Sequence, residues 1–388
     1  MSIARIPPVY SPLELRSLWS SARATWGRGP DLGAVLCREY DAKRAELLGS
    51  GTQALQVAIR MALLEAGESL VALPAFTCFD VGAAAVAVGA NIALYDVDPD
   101  TLEPDLQSLQ ATLMAGARVV VVTPLYGYPI DWQCVHRIVS QYGGIVIEDA
   151  AQGHGASWRG RKLGSLGALS VLSFGRGKGW TGGSGGALLL RPPFAGSMPS
   201  TISAYARDQG LRELISLTAQ WGLGRRGWYA LPSAIPWLRL GEAYYRPAPP
   251  PKAMATSVRA CVMATRSLVE GEATIRRGNA EILLRAIAHS SSVRPVFARP
   301  DSIGGYLRLA VRASGGVAGL PDPQAARALG VSASYPRTLA ELPAVRAHMV
   351  RTATRWPGAE SLARELVTLP THSRLTALDR DRIVSLFV

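Results

Sequence analysis

The stretch Ile145-Val146-Ile147-Glu148-Asp149-Ala150-Ala151-Gln152 opens with three β-branched residues and closes on two acids and an amide. An apolar run this short, followed at once by acids, reads as a buried strand over Ile145–Glu148 with Asp149 at its carboxyl end. Similar runs flank it at Ser69–Leu73, Ile92–Asp96, Val119–Thr123 and Leu169–Phe174. Between them, helical spacing is found over Thr52–Glu65, Asp80–Val88, Asp105–Met114 and Asp131–Tyr142, most starting near Thr or Asp, which cap helices well. From about Leu47 to Arg191 strand and helix therefore alternate. That order predicts an α/β fold, a mostly parallel sheet covered on both faces, with ligands gathered at the carboxyl ends of its strands.

The rest of the chain is less regular. Leu211 to Lys252 collects Trp221, Trp228, Tyr229, Trp237, Tyr244 and Tyr245 and ends in the linker Pro247–Pro251. It reads as a helical insertion packed on the body or on a partner subunit, or else as an interfacial patch for a membrane surface. A long helix is expected over Ala255–Arg277, then a smaller α+β region. The domain division is 1–245 for the large domain, with the insertion at about 211–252, and 253–388 for the small C-terminal domain.

With 388 residues and 48% apolar side chains, the chain can bury a substantial core. Cys37, Cys78, Cys134 and Cys261 are scattered, with no CxxC pair, which argues against zinc and disulfides and fits a reducing, cytoplasmic setting. No metal site is expected. The residues at the start lack the apolar core of a signal peptide, and no run reaches the roughly 18 apolar residues of a membrane span. The net charge of +12 fits a solvated surface or attraction to anionic substrates or lipid. Without a helix-turn-helix, zinc-finger or RNP-like signal, nucleic acid is not an expected partner.

Three clusters carry chemistry. The chain has four lysines, Lys43, Lys162, Lys178 and Lys252. Lys43 reads as part of a charged helical stretch, Lys162 as part of a polar turn, and Lys252 follows the proline linker. Lys178, in Ser173-Phe174-Gly175-Arg176-Gly177-Lys178-Gly179, follows a buried strand within a glycine-rich path, where an amine can be desolvated and made nucleophilic. Gly179 breaks the P-loop pattern, although glycine loops with a lysine also bind phosphate. Asp149 could hold a protonated ring nitrogen, or could cap the next turn. Gly49-Ser50-Gly51-Thr52-Gln53 could cradle a phosphate on a helix N-terminus, or be a plain cap. A phosphate cradle, an acid and a lysine in this order are the parts of a pyridoxal 5'-phosphate site. Arg176 could bind an anionic group of a substrate or pair with a surface acid. His154 reads as a structural hydrogen bonder more readily than a proton carrier, and His372 as structural.

At these residues the chain resembles the DegT/DnrJ/EryC1/StrS family of pyridoxal-phosphate-dependent (sugar) aminotransferases. The resemblance runs through Gly51-Thr52-Gln53-Ala54-Leu55, Leu73–Thr77, Asp96–Leu102, Leu125-Tyr126-Gly127, Glu148–Ala156 and Ser173-Phe174 with Lys178, with weaker echoes at Met254–Thr265 and Leu369–His372. It implies the fold-type-I architecture: a large domain with a mostly parallel sheet, a small C-terminal α+β domain, and a homodimer with sites at the interface. It implies Lys178 as the Schiff-base lysine, Asp149 as partner of the pyridine nitrogen and Gln152 as ligand of the phenolic oxygen. It further implies Gly51, Thr52 and Ser173 as phosphate ligands, Cys78 at the place of a ring-stacking aromatic, and Tyr126 near substrate. The activity implied is transfer of an amino group from an amino acid, glutamate by preference, to a keto sugar, nucleotide-linked, in polysaccharide or secondary-metabolite synthesis. The alternatives are other pyridoxal chemistry on a sugar, against which Lys178 speaks, and a degenerate binding subunit of a membrane-associated assembly. Departures from the family are Cys78, Gly175-Arg176-Gly177 before the lysine, and the loss of an Asn-Tyr-Arg-Met segment that reaches the neighbouring subunit. Of that segment only Met254 aligns, leaving Lys252 or Arg246 as replacements.

Overall fold

The apolar runs form a seven-stranded sheet in a computed structural model that describes residues 5–25, 30–196, 210–223, 243–350, 353 and 355–387. Its strands are β1 (Arg44–Leu48), β2 (Leu70–Pro74), β3 (Asn91–Tyr95), β4 (Val119–Val122), β5 (Ile145–Asp149), β8 (Leu169–Ser173) and β9 (Gly186–Leu190), while the short β6 (Ser157–Trp158), β7 (Arg161–Lys162) and β11 (Ser302–Ile303) form a small sheet of their own. They lie in the order β1-β9-β8-β5-β4-β2-β3. β2, β3, β4, β5 and β8 pair in parallel, and β9 runs against both β8 and β1. Val119 and Val121 enter one apolar cluster and Val120 and Val122 the other, so both faces are buried. This is why the strands read as continuous apolar runs instead of alternating ones.

Helices α3 (Gly51–Ala66) and α4 (Phe79–Ala87) cover one face. Helices α2 (Leu32–Glu39), α5 (Leu106–Met114) and α6 (Trp132–Gln141) cover the other. All nine elements expected from periodicity form within one residue of their predicted ends. The caps differ in part. Ser50 caps α3 by accepting from Gln53 N at 3.2 Å, and Asp105 and Asp131 cap α5 and α6, but α4 starts beyond Cys78 without a side-chain cap. Asp80 lies inside α4's first turn, where its charge suits the helix dipole.

Two strands escaped the reading. β9 follows the glycines of 182–186, and β1 carries Arg44 and Glu46, whose charges mask an edge strand. Lys43 accordingly precedes β1, its N–H donating to Leu190 O at 3.0 Å, and is not in a helix. The helix expected over Ala255–Arg277 is two: α8 (Thr256–Thr265) and α9 (Val269–Ile287), separated by a 3-10 turn. The Thr265 hydroxyl at the break donates to Thr181 O at 2.7 Å, tying this point to the glycine-rich loop.

A three-stranded antiparallel sheet, β10 (Val293–Pro295), β12 (Leu309–Ala313) and β13 (Leu366–Leu369), packs with α9 and Ile6 around its own core. Of the insertion, α7 (Leu211–Leu223) is helical, and Trp221 packs beside Leu13, Leu217 and Cys261. Trp228, Tyr229 and Trp237 lie outside the described residues. The proline segment is fastened to α3. Gln53 Nε2 donates to Pro250 O and Gln56 Nε2 to Pro249 O, both at 2.9 Å, and Gly49 N donates to Lys252 O at 2.8 Å. At the other end of this stretch, Ser257 Oγ donates to Gly210 O at 2.9 Å. No described helix is long and apolar enough to cross a membrane.

Successive strand residues face opposite sides, so Glu148 and Asp149 part company. Glu148 is fully buried and accepts from Gly164 N (2.6 Å), Leu166 N (2.8 Å), Gly167 N (3.1 Å) and Ser170 Oγ (2.8 Å). Glu148→Ala would strand these donors in the interior, at a cost of about 3 kcal/mol or more. Urea unfolding should show that loss, whereas an ordinary exposed acid such as Glu68 replaced by Ala should change stability by less than about 0.5 kcal/mol.

Candidate functional site

The carboxyl ends of β2, β4, β5 and β8, together with the start of α3 after β1, bring the chemically active residues to one edge. Asp149 closes β5 and is 6% exposed. Its Oδ1 accepts from Ala151 N at 3.1 Å, so it does cap the following turn, and its Oδ2 has no donor among the described residues. Burial pushes the Asp149 carboxyl up to about 6, and the Lys178 ammonium is the strongest influence holding it down. Lys178 is half-buried in the loop after β8, where its N–H donates to Gly175 O at 3.3 Å. Cys78, half-buried at the end of the loop after β2, feels both charges. Burial first, then Asp80, push its thiol up to about 12, while Lys178 pulls the other way. Asp149, Lys178 and Cys78 thus share one electrostatic environment.

The start of α3 presses on the end of β8. A Cβ built on Gly51 would stand 2.7 Å from Ser173 Cβ and 3.0 Å from its Oγ. Only glycine allows this approach, which sets the first turn of α3, with Thr52, beside the Ser173 hydroxyl. Ser173 Oγ accepts weakly from Gly175 N at 3.5 Å, and its own hydrogen has no acceptor among the described residues. Gln152 stands in the turn after β5, three residues beyond Asp149. Its Oε1 accepts from Tyr126 N at 2.7 Å, and its Nε2 donates to Tyr335 Oη at 2.9 Å. Tyr126 has a positive φ of 55°, a buried ring, and a hydroxyl without a partner among the described residues. Its turn is clamped from the C-terminal region, Leu307 N donating to Tyr126 O and Gly305 N to Gly127 O, each at 2.8 Å.

Other expected residues fall outside this set. Arg176 is exposed and has no acid partner among the described residues. Arg246 stacks on Tyr244 at 4.1 Å, and Lys252 pairs with Glu213 at 3.0 Å. His154 is buried; its Nε2–H donates to Ser173 O at 3.1 Å, which leaves Nδ1 to accept from Tyr40 Oη at 3.3 Å. Burial drives its imidazole down to about 4, so it is a neutral strut behind Ser173. His372 behaves alike, with Nε2–H donating to Pro7 O at 2.9 Å and its titration lowered by burial to about 4. No group of acids, histidines or cysteines among the described residues could hold a metal. The four cysteines are unpaired.

Residues 28–209 match the model of the DegT/DnrJ/EryC1/StrS aminotransferase family. This segment belongs to that family. Curated relatives include L-glutamine:2-deoxy-scyllo-inosose aminotransferase of Streptomyces kanamyceticus, 33% identical over 144 residues, which are 37% of this chain and 34% of the relative. The UDP-2-acetamido-2-deoxy-3-oxo-D-glucuronate aminotransferase of Pseudomonas aeruginosa is 34% identical over 38% of this chain and 41% of its own. The 3-amino-5-hydroxybenzoate synthase of Amycolatopsis mediterranei is 30% identical over 42% and 43%. The chain matches about a third of the length of the first of these relatives. Among solved structures, AtS13 from Actinomadura melliaura aligns with a TM-score of 0.74 and 24% identity, covering 100% of this chain and 99% of that one. The sugar aminotransferase CalS13 from Micromonospora echinospora aligns at 0.74 and 22%, covering 98% of each. The fold is thus the fold-type-I architecture.

The family's cofactor is pyridoxal phosphate, and the residues present suit it. An unfilled carboxylate oxygen on a buried strand end matches a ring N–H, and a hydroxyl beside a helix start matches a phosphate. A buried acid raised in this way weakens the empty protein. The folded state binds the Asp149 proton more tightly than the unfolded chain does, so stability falls as pH rises from about 4 to about 6 and stays lower above. Asp149→Asn in the cofactor-free protein should therefore be more stable than wild type at pH 8, by roughly 2–3 kcal/mol, and the gap should vanish near pH 4. Denaturant unfolding at the two pH values checks this.

Proposed function

We propose that the chain is a pyridoxal-phosphate-dependent aminotransferase that moves an amino group from an amino acid to a keto sugar. The observation that carries this reading is the pairing of an unfilled Asp149 Oδ2 with the Lys178 amine in one electrostatic environment, beside the Gly51–Ser173 cradle. Bound pyridoxal phosphate supplies a protonated ring that takes up the charge left when a proton leaves the carbon bearing the amine. Asp149 Oδ2 accepts the ring N–H and keeps it protonated. Ser173 Oγ, Thr52 and the first-turn N–H groups of α3 hold the phosphate. Lys178 would hold the cofactor covalently, and its Nζ, when not so engaged, would serve as the base that moves a proton at the reacting carbon. The free N–H of Gln152 would serve the phenolic oxygen. Cys78 and Tyr126 wall the site, a thinner contact than a large ring at residue 78 would give.

The finer reading is glutamate as donor and a nucleotide-linked keto sugar as acceptor. Exposed Arg176, near the lysine, is available to an anionic group such as a diphosphate. Two of the relatives named above act, by their names, on a cyclitol with glutamine and on a UDP-linked sugar, so these are the first alternatives to compare. A homodimer is the expected assembly, in keeping with the exposed Leu15, Trp19, Leu211 and Ile215 on α1 (Leu15–Thr25) and α7.

Purified protein should carry a visible absorption band of lysine-bound pyridoxal phosphate, absent in Lys178→Ala. Glutamate should bleach the band, and a nucleotide-linked keto sugar should restore it. Bleaching by glutamine alone, with recovery by a cyclitol ketone, would replace the finer reading. A band indifferent to every amino donor would sink transamination itself.

A further inference from the structure

Nothing in the sequence marks Tyr335, yet the fold delivers it into the site from the C-terminal region. The bridge of Ser332 to Thr368 in β13 leads into it, and just beyond it Leu339 N donates to Ala75 O at 2.8 Å, laying this stretch over the carboxyl end of β2. Its ring meets Phe76 edge-on with centroids 5.7 Å apart, tilts on Phe79 at 5.9 Å, and lies nearly parallel to Tyr126 at 6.5 Å and 16°. Burial first, then Cys78 and Tyr126, hold its phenol well above the ordinary value, so it is a neutral hydroxyl.

The Gln152 amide is fixed at both ends. Tyr126 N–H can only donate, so Oε1 must be the atom facing it, and the amide cannot flip. Nε2 carries two hydrogens. One goes to Tyr335 Oη, and the other has no acceptor among the described residues. The direction of that second N–H is therefore set by Tyr335.

We infer, resting on the function proposed above, that Tyr335 is a positioning residue. Through Gln152 it aims the spare N–H at the phenolic oxygen of the cofactor, and its ring supplies aromatic surface at the wall where Cys78 supplies none. A side chain that merely filled space would be indifferent to loss of its hydroxyl. One that orients Gln152 would not. A hydrogen bond to the phenolic oxygen spreads its negative charge and weakens its hold on the proton of the neighbouring lysine nitrogen. Without it that proton is held more tightly, and the pH-dependent colour change of the holoprotein moves to higher pH.

The test is a pH titration of the visible band in holoprotein. Gln152→Ala should raise the midpoint by about one unit and Tyr335→Phe by about half a unit, the span expected of a whole and a partly lost hydrogen bond. In the Gln152→Ala background, Tyr335→Phe should add nothing, because the hydroxyl acts through the amide. Tyr335→Leu, which removes the ring as well, should weaken retention of pyridoxal phosphate at least about tenfold beyond Tyr335→Phe. A normal band with an unmoved midpoint in Tyr335→Phe, or shifts that add in the double variant, would overturn the role of the hydroxyl. Equal retention in the Phe and Leu variants would overturn that of the ring. Failure of the underlying function looks different, since wild type itself would then show no band, or a band that no amino donor bleaches.

Discussion

Glu148 holds the central edge of the sheet together. Its carboxylate gathers three backbone amides from the loop before β8 and a hydroxyl from β8 itself. These bonds are charge-assisted and shielded from water, and they tie β5 to the approach of β8. The register of the two strands then places Asp149 against Val171, two residues before Ser173. Because adjacent residues on a strand diverge, one acid of the pair can be spent on architecture while its neighbour is left short of partners at the edge. Arg191 reinforces the arrangement from the end of β9, donating to Gly164 O, Gly167 O and Ser170 Oγ.

Much of this was legible from residue order. The runs of 69–73, 92–96, 119–123, 145–148 and 169–174 are buried on both faces, and such strands announce themselves by unbroken apolarity. The helices between them carry clear periodicity, and the motif order around Gly51, Asp149, Gln152 and Lys178 pointed to the candidate site. What escaped follows a physical pattern. β1 is an edge strand with charged residues, and β9 is an apolar run that cannot show its reversed direction. Phe79 begins α4 and joins Phe76 against Tyr335. Tyr335 itself lies 183 positions beyond Gln152. No local pattern reports a contact of that span, and only the packing of the C-terminal region over β2 creates it.

The division of labour among polar groups is sharp. His154, Arg276 and Arg308 are buried and bonded to backbone carbonyls, so they hold loops in place. Asp149 Oδ2, the Ser173 hydroxyl hydrogen, the second amide hydrogen of Gln152 and the Tyr126 hydroxyl are among the groups that find no partner among the described residues at the carboxyl edge of the sheet. Such unfilled valences are costly in a folded chain, and here they converge.

The stretch between Gly210 and Lys252 has both feet nailed down, one on Ser257 and the other on α3 through Gln53 and Gln56. A loop whose endpoints are already fixed pays little for growth, about 0.6 kcal/mol for each doubling of its length. Changes in the length of this stretch therefore cost the fold little, and the start of α3 keeps its shape.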